Sequence, residues 1–435
     1  MDILKMRPFQ IIVIVIFGFL ALIGLFLFAN YSGFGGGKAT VGSVTIWGTI
    51  PADSMQAGLR SLVEAHKEYG SVRYVAKNIE TFEADLNEAI ASGVGPDLIL
   101  ITQEQLLAQQ NKLTLIPYAS ISERTYIDSY LPIFELFLTS EGTYGVPLAV
   151  DPLVMYYNRP MLASVGVAEA PRSWEGVTGL VALLTRKLPD HTVTKSLVAI
   201  GEYDNVTNAR AIVSLLLLQS GNKLTQETNS GLRAALSSSG GGMFGVSPAE
   251  SALTFYTQFA NPTKTVYSWN RALPESRQAF LAGDVALYPG FASERPLLSA
   301  GNPNLDFDMA AIPQLDTATT KVTYGHAYVL AIPKASKNAS GAFQTAMALA
   351  AKDVGPQVAR ALSMAPALRS ALKPGENDFY TPVFYPEALV AQGWLSPAPR
   401  TTDEIFSTMI GNITSGRRSV RDALFTADQA LDAAL

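Results

Sequence analysis

The sequence predicts an α/β protein of two bodies, each a mostly parallel sheet flanked by helices, preceded by one N-terminal transmembrane helix. Three observations carry this. At 435 residues the chain has material for two to four domains of about 100–200 residues. Past position 40, short apolar runs alternate with amphipathic stretches, the order of strands laid parallel with helices between them. Residues 11–29 form a run with no charged side chain.

That run, IIVIVIFGFLALIGLFLFA, has 19 residues, and at about 1.5 Å per residue it approaches the hydrocarbon thickness of a bilayer. Lys5 and Arg7 precede it, so the positive-inside bias places residues 1–10 in the cytoplasm and everything after residue 30 outside the cell. A cleaved signal peptide is the competing reading. Its apolar core usually spans about 7–15 residues and ends at a small-x-small site, whereas this run ends Phe28-Ala29-Asn30-Tyr31. Residues 30–40 then read as a glycine-rich tether. SGFGGGKAT resembles a phosphate loop only in its glycines, because no Ser or Thr follows the lysine and no strand precedes it.

The composition excludes several classes. Hydrophobic residues make up 48% and charged residues 16% of the chain, too apolar for a disordered or coiled-coil protein. Much of the mean hydropathy of +0.19 comes from residues 11–29. Net charge is −5 with no Lys/Arg cluster, which argues against a nucleic-acid surface. With no cysteine, the chain has no disulfide, thiolate metal site, iron–sulfur cluster, thiol nucleophile or lipidated-cysteine anchor.

Beyond the tether, residues 44–47 read as a strand, followed by a helix through Met55, Leu59 and Leu62. A strand at 72–75 leads to a helix capped by Thr81 and ended by Gly93, and 97–101 is a buried strand. Ligands in such open sheets sit outside the carboxyl ends of the strands, here near Trp47, 75–78 and Thr102. Residues 143–158 are extended but look too long and too broken for one ordinary strand. Pro147 and Pro152 suggest a segment crossing between bodies. Helices follow near 174, over 212–218 and over 253–259. A helix through 278–281 stops at Gly283, a strand at 285–288 ends at Pro289-Gly290, and 324–333 makes a second crossing. The chain ends in helices. SSSGGG at 237–242 is a loop, and no repeat is visible.

Catalytic motifs are missing. His66, His191 and His326 are scattered and read as surface or packing histidines, with no HExxH. Gly245-Val246-Ser247-Pro248-Ala249 lacks the last glycine of a nucleophile elbow, and neither nucleotide loop is present. Paired carboxylates for glycoside hydrolysis have no required spacing, so sequence neither supports nor excludes them. No metal or cofactor is expected, and the sequence offers no motif on which to build an enzyme.

A series of motifs carries a resemblance: Trp47 at the end of the opening strand; ASGVGPDL at 91–98; GVPLAVD at 145–151 with YYNR at 156–159; APRSW at 170–174; AFLAGDVAL at 279–287; AIP at 311–313; and ITSGRRSVRDAL at 413–424. In this order they resemble the extracellular solute-binding proteins of ATP-binding-cassette (ABC) importers, in the cluster that includes maltose-binding-like proteins. The resemblance covers nearly all of residues 41–435. It implies a two-lobed, type II periplasmic-binding-protein-like fold that closes on a small solute, most simply a sugar or oligosaccharide, and delivers it to an ABC permease, acting as a monomer. The two crossings then divide the chain discontinuously. The first lobe takes 41–148 and 280–327, the second 152–277 and 332–435, with hinges near 145–152, 278–290 and 324–333. With no cysteine to lipidate, the helix at 11–29 serves as the membrane anchor.

A sugar ring needs a stacking aromatic edged by hydrogen-bonding groups. By position in the motifs, the candidate contacts are Trp47, Asp151, Tyr203, Asn205, Trp269, Asn270, Phe291 and Tyr324, with Asn208, Arg271 and Tyr328 beside them. Core packing is the competing role for each aromatic and the expected one for Trp174 and Trp394, while Asp97 reads as structural. Two other functions stay open: an anchored glycan hydrolase, and a sensor or scaffold whose lobes do not move.

Overall fold

The computed structural model describes residues 41–190, 192–237, 246–374 and 378–435. The apolar run at 11–29, the tether, His191 and most of the SSSGGG loop lie outside the described residues. Among the described residues, no helix is long and apolar enough to cross a membrane.

The opening order holds as β1 (Val44–Gly48), α1 (Ala52–Ala65), β2 (Val72–Ala76), α2 (Phe82–Ala91) and β3 (Leu98–Ile101). β1 runs parallel to both β2 and β3. Met55, Leu59 and Leu62 bury one stripe of α1, as do Phe82, Leu86 and Ala89 in α2, the spacing of a helix face laid on a sheet. All four residues of β3 are buried. Asp97 is structural: its carboxylate accepts the Thr45 N–H at 3.0 Å and the Ser336 hydroxyl at 3.0 Å, tying the start of β3 to β1.

The segment that looked broken is one strand, β4 (Val146–Asn158), 13 residues long and buried throughout. Its prolines sit where a missing N–H costs little. Pro147 lies at a bulge opposite Tyr328/Val329, a position proline tolerates. Pro152 marks an exchange of partners. Up to it, β4 pairs with β8 (Thr323–Ala331) and with the short strand Ala365–Pro366. Beyond it, β4 pairs with β6 (Val285–Phe291) and β7 (Phe307–Ala310).

Completed by β5 (Val193–Val198), eleven of the described strands form one sheet, whose main path β2-β1-β3-β8-β4-β6-β5 ends at Arg186–Lys187, with β7, Ala365–Pro366 and Ala391–Gln392 paired off that path. The expectation of mostly parallel sheets is therefore corrected: the sheet is mixed. β8 and β4 run against each other and against β3 and β6, while the flanks keep parallel pairs, β1 with β2 and β3 and β6 with β5, and the short strand Ala391–Gln392 runs parallel to β8. β6 and β7, placed with the first lobe by sequence, pair with the 153–158 half of β4.

β6 also runs through Pro289-Gly290 instead of stopping there. β5 pairs with it only at Val285 and Leu287, so Pro289 stands beyond that ladder. Glycine is required at 290, where a Cβ would meet the Tyr288 ring at 2.6 Å.

Helices α3 (Gln103–Gln109), α4 (Trp174–Leu184), α5 (Ala209–Gln219), α6 (Pro248–Gln258), α7 (Ser276–Leu281), α8 (Pro399–Thr414) and α9 (Val420–Ala434) complete the elements used below. Ser173, Ser247 and Ser419 cap α4, α6 and α9 by accepting first-turn amides, each stabilising by about 1 kcal/mol. α5 is buried over most of its circumference, as its ARAIVSLLLLQ sequence requires. Trp174 and Trp394 are core residues whose indole N–H groups donate to Gln219 (2.8 Å) and Ser214 (3.1 Å).

Candidate functional site

A cavity of about 690 Å³ opens between the loop that leads into α5, the last residue of β6, the middle of β8 and α8. Tyr203, Asp204, Val206, Asn208 and Arg210 line one wall, Phe291 and His326 a second, and Asp403, Glu404 and Ser407 a third.

Arg210 is the electrostatic centre. It occupies the first turn of α5, where its guanidinium donates to Glu104 at 2.7 Å, to Asp403 at 2.8 Å and to the Pro399 carbonyl at 2.8 Å. Glu104 reaches it from the first turn of α3. That turn is fixed by a capping box between Thr102 and Gln105, and by Gln103, whose side chain donates to the Gly325 carbonyl and accepts the Ala327 N–H, both at 2.9 Å. Tyr324 donates its hydroxyl to Glu104, and His326 Nε2 lies 3.5 Å from the same carboxylate. Burial alone would raise the Glu104 pKa, but the Arg210 charge, then His326 and Tyr324, hold it well below the usual carboxylate range. Burial, and then the Asp403 charge, push the Tyr203 hydroxyl upward, and it donates to Asp403 at 2.6 Å.

The second wall is aromatic. The Phe291 and His326 rings stack at 4.2 Å between centroids and 21° between planes. Glu294 fixes the Phe291 backbone by accepting its N–H at 2.9 Å, while also accepting Tyr288 and Asn208 at 2.6 Å each. Asn208 holds a left-handed backbone, φ 61°, which asparagine tolerates, and turns its amide to Glu294 instead of capping α5. The first amide of α5, Ala209 N–H, is taken instead by the Val206 carbonyl at 3.1 Å. Behind His326, the cross-strand Asp151 is buried and accepts the Ser293 N–H at 3.0 Å and its hydroxyl at 2.5 Å. Burial pushes the Asp151 pKa up to about 7 despite those bonds.

Of the residues expected from sequence, Tyr203, Asn208 and Phe291 meet on the cavity, with Tyr324 and Asp151 behind its wall. Asn205, Trp269 and Asn270 instead brace one another. Trp269 donates its indole N–H to Asn205 at 3.2 Å, and Asn205 donates to the Asn270 and Leu273 carbonyls. Asn205 and Arg271 border an adjoining cavity of about 210 Å³ that shares Tyr203, Asp204 and Ser407 with the larger one. Trp47 lies elsewhere, with the Lys77 ammonium 3.8 Å above its ring.

Sequence reading missed Glu104, Arg210, His326 and Asp403. His326 is neither a surface nor a simple packing histidine, since it lines the cavity. One signal was visible: Arg210 is the lone charge in an otherwise apolar helix, and a charge there must find a partner. Chemically, the site offers hydrogen-bond donors and acceptors around a stacked ring pair, which suits a polar solute with one apolar face. Among the described residues, no group of three His, Cys, Asp or Glu side chains is placed to hold a metal.

Residues 62–381 match a family model described as bacterial extracellular solute-binding protein. Solved structures show the same fold. A cyclo/maltodextrin-binding protein complexed with maltotetraose is 15% identical, with a TM-score of 0.72 over 92% of this chain and 98% of that one. The GacH receptor of Streptomyces glaucescens, solved unliganded and with acarbose, is 18% identical, TM-score 0.69, over 90% and 98%. A Thermus thermophilus maltotriose-binding protein, bound with maltotriose, is 16% identical, TM-score 0.66, over 90% and 100%. No curated protein matches the chain in sequence.

Proposed function

Since the chain belongs to the bacterial extracellular solute-binding proteins, we propose that it captures a carbohydrate in the cavity between Phe291, Arg210 and Asp403 and passes it to an ABC permease without altering it. The observation that carries this is the stacked Phe291–His326 pair on the same cavity as the Arg210, Tyr203 and Asp403 hydrogen-bonding groups. A pyranose ring presents the same combination of an apolar face and hydroxyl edges. Solved relatives of this fold hold maltotetraose, acarbose and maltotriose.

In this reading the sheet divides at β4 and β8 into two lobes that close on the solute, a hinge motion absorbed where β4 exchanges partners at Pro152. Strand pairing favours grouping β6 with β5, and β7 with them through the 153–158 half of β4, while chain order sets α3 directly after β3. The run at 11–29 anchors the protein in the membrane with its binding domain outside the cell.

A panel of maltotriose, acarbose, tagatose, a dipeptide and spermidine tests the reading. One carbohydrate should raise thermal stability, by about 2.7 kcal/mol at a hundredfold excess over Kd, and chromatography should recover it unchanged. A shift with spermidine or the dipeptide alone would replace the carbohydrate assignment, and turnover would replace the transport role. For the anchor, the protein should stay in the membrane pellet through an alkaline wash with Met1 intact.

A further inference from the structure

We propose that the Arg210–Glu104 ion pair is a latch that joins α3 to α5 across β8 and sets how readily the cleft opens. The proposal rests on the two-lobe closing reading above. Each partner stands on its own helix, and both helices pack on β8. Glu104 stands on α3, directly after β3, and α3 is held to β8 by the paired Gln103 bonds and by Tyr324. Arg210 stands on α5, where it is held to α8 through Asp403 and the Pro399 carbonyl. The 2.7 Å bond between them thus joins α3 to the α5–α8 pair, beside a longer tie from the Ser396 hydroxyl to the Glu104 carbonyl at 3.5 Å.

Its surroundings make it a latch and not a surface ion pair. The Arg210 and Glu104 side chains are 16% and 4% exposed, so salt screens them little and their attraction is strong. Opening the cleft would return both charges to water and recover part of their hydration, which limits the strength of the hold. An apolar seam has no such compensation. Arg210 also lines the cavity, so a solute seated against Phe291 meets one half of the latch directly.

The absence of cysteine makes the test clean. Spin labels at Glu83→Cys on α2 and Thr254→Cys on α6 report the separation of the two ends in the 435-residue chain. The neutral pair Glu104→Gln with Arg210→Gln leaves no unpaired buried charge, so it should fold, as circular dichroism would verify. It is expected to shift the label distances to longer values, with Glu104→Gln alone doing the same. Arg124→Gln, which removes only the exposed Arg124–Asp128 ion pair, should keep the wild-type distribution. Unchanged distances in the folded neutral pair overturn the latch. If maltotriose stabilises the wild type but no variant or ligand moves the labels, the closing reading falls and the latch with it. If maltotriose shortens the wild-type distances while the neutral pair starts from the same value, the latch alone falls.

Discussion

The two ends of the sheet are built alike and used differently. At one, β1, β2 and β3 are parallel strands with helices between them, and none of the residues lining the large cavity comes from them. At the other, the loop before α5, the first turn of α5, the tip of β6 and α8 line the cavity, joined by His326 of the central β8. The first end reaches the site only through Glu104, behind Arg210. Similar layers therefore do not imply equal shares of a site. The end whose helices begin under long, irregular loops exposes polar groups, while the compact βαβ end supplies the charge that orders them.

This comparison can be broken at several points. The largest effect is expected from Arg210→Ala, which strands Glu104 without its cation in the interior. Urea unfolding should show a loss of about 3–5 kcal/mol, and a loss under about 1 kcal/mol would mean that the ends are not coupled through this pair.

A pH series gives the next effect. Burial pushes the Asp151 and Glu387 pKa values up to about 7 each, so between about pH 4 and 7 the folded state holds protons that the unfolded state has released. Each group then lowers stability as pH rises, by up to about 1.4 kcal/mol per unit. Glu104 has the opposite sign: its stabilisation is present above the ordinary carboxylate pKa and is lost as pH falls through its depressed value. Glu387→Gln should flatten the decline between pH 4 and 7 in thermal melts, and an unaltered slope would show that Glu387 is not the group titrating.

The smallest effects separate the two ends in binding. Phe291→Ala removes the ring stacked on His326 and should weaken maltotriose binding by about 0.5–1.5 kcal/mol in calorimetry. Trp47→Ala should leave that affinity unchanged and cost only packing and a cation–π contact of about 0.5–1 kcal/mol with Lys77. The reverse ranking would move the site to the β1–β3 end.

What could be read from sequence follows the same division. Strands β1–β3 and their helices were legible because each pairs with a near neighbour in the chain and each helix buries a regular stripe. The length of β4 was not, because the two prolines suggest breaks, and only the distant β6, β7 and β8 show why they are tolerated. Tyr203 and Phe291 could be nominated from nearby turns and aromatic character. The Glu104–Arg210–Asp403 network could not: its members lie 106 and 193 positions apart and share no spacing rule. Trp269 was overvalued because an aromatic beside asparagines looks the same whether it faces a sugar or, as here, its own loop.

The placement of β8 also bears on how the protein is made. β3 is an early strand, yet its second neighbour is β8, more than 220 residues later. Until Ala331 has been synthesised, the growing chain carries an open strand edge that it cannot cover with its own pairing. Such an edge is prone to join another chain, and contacts this remote in sequence form slowly. Refolding yield should therefore fall with protein concentration, and nascent chains that stop short of β8 should depend most on chaperones.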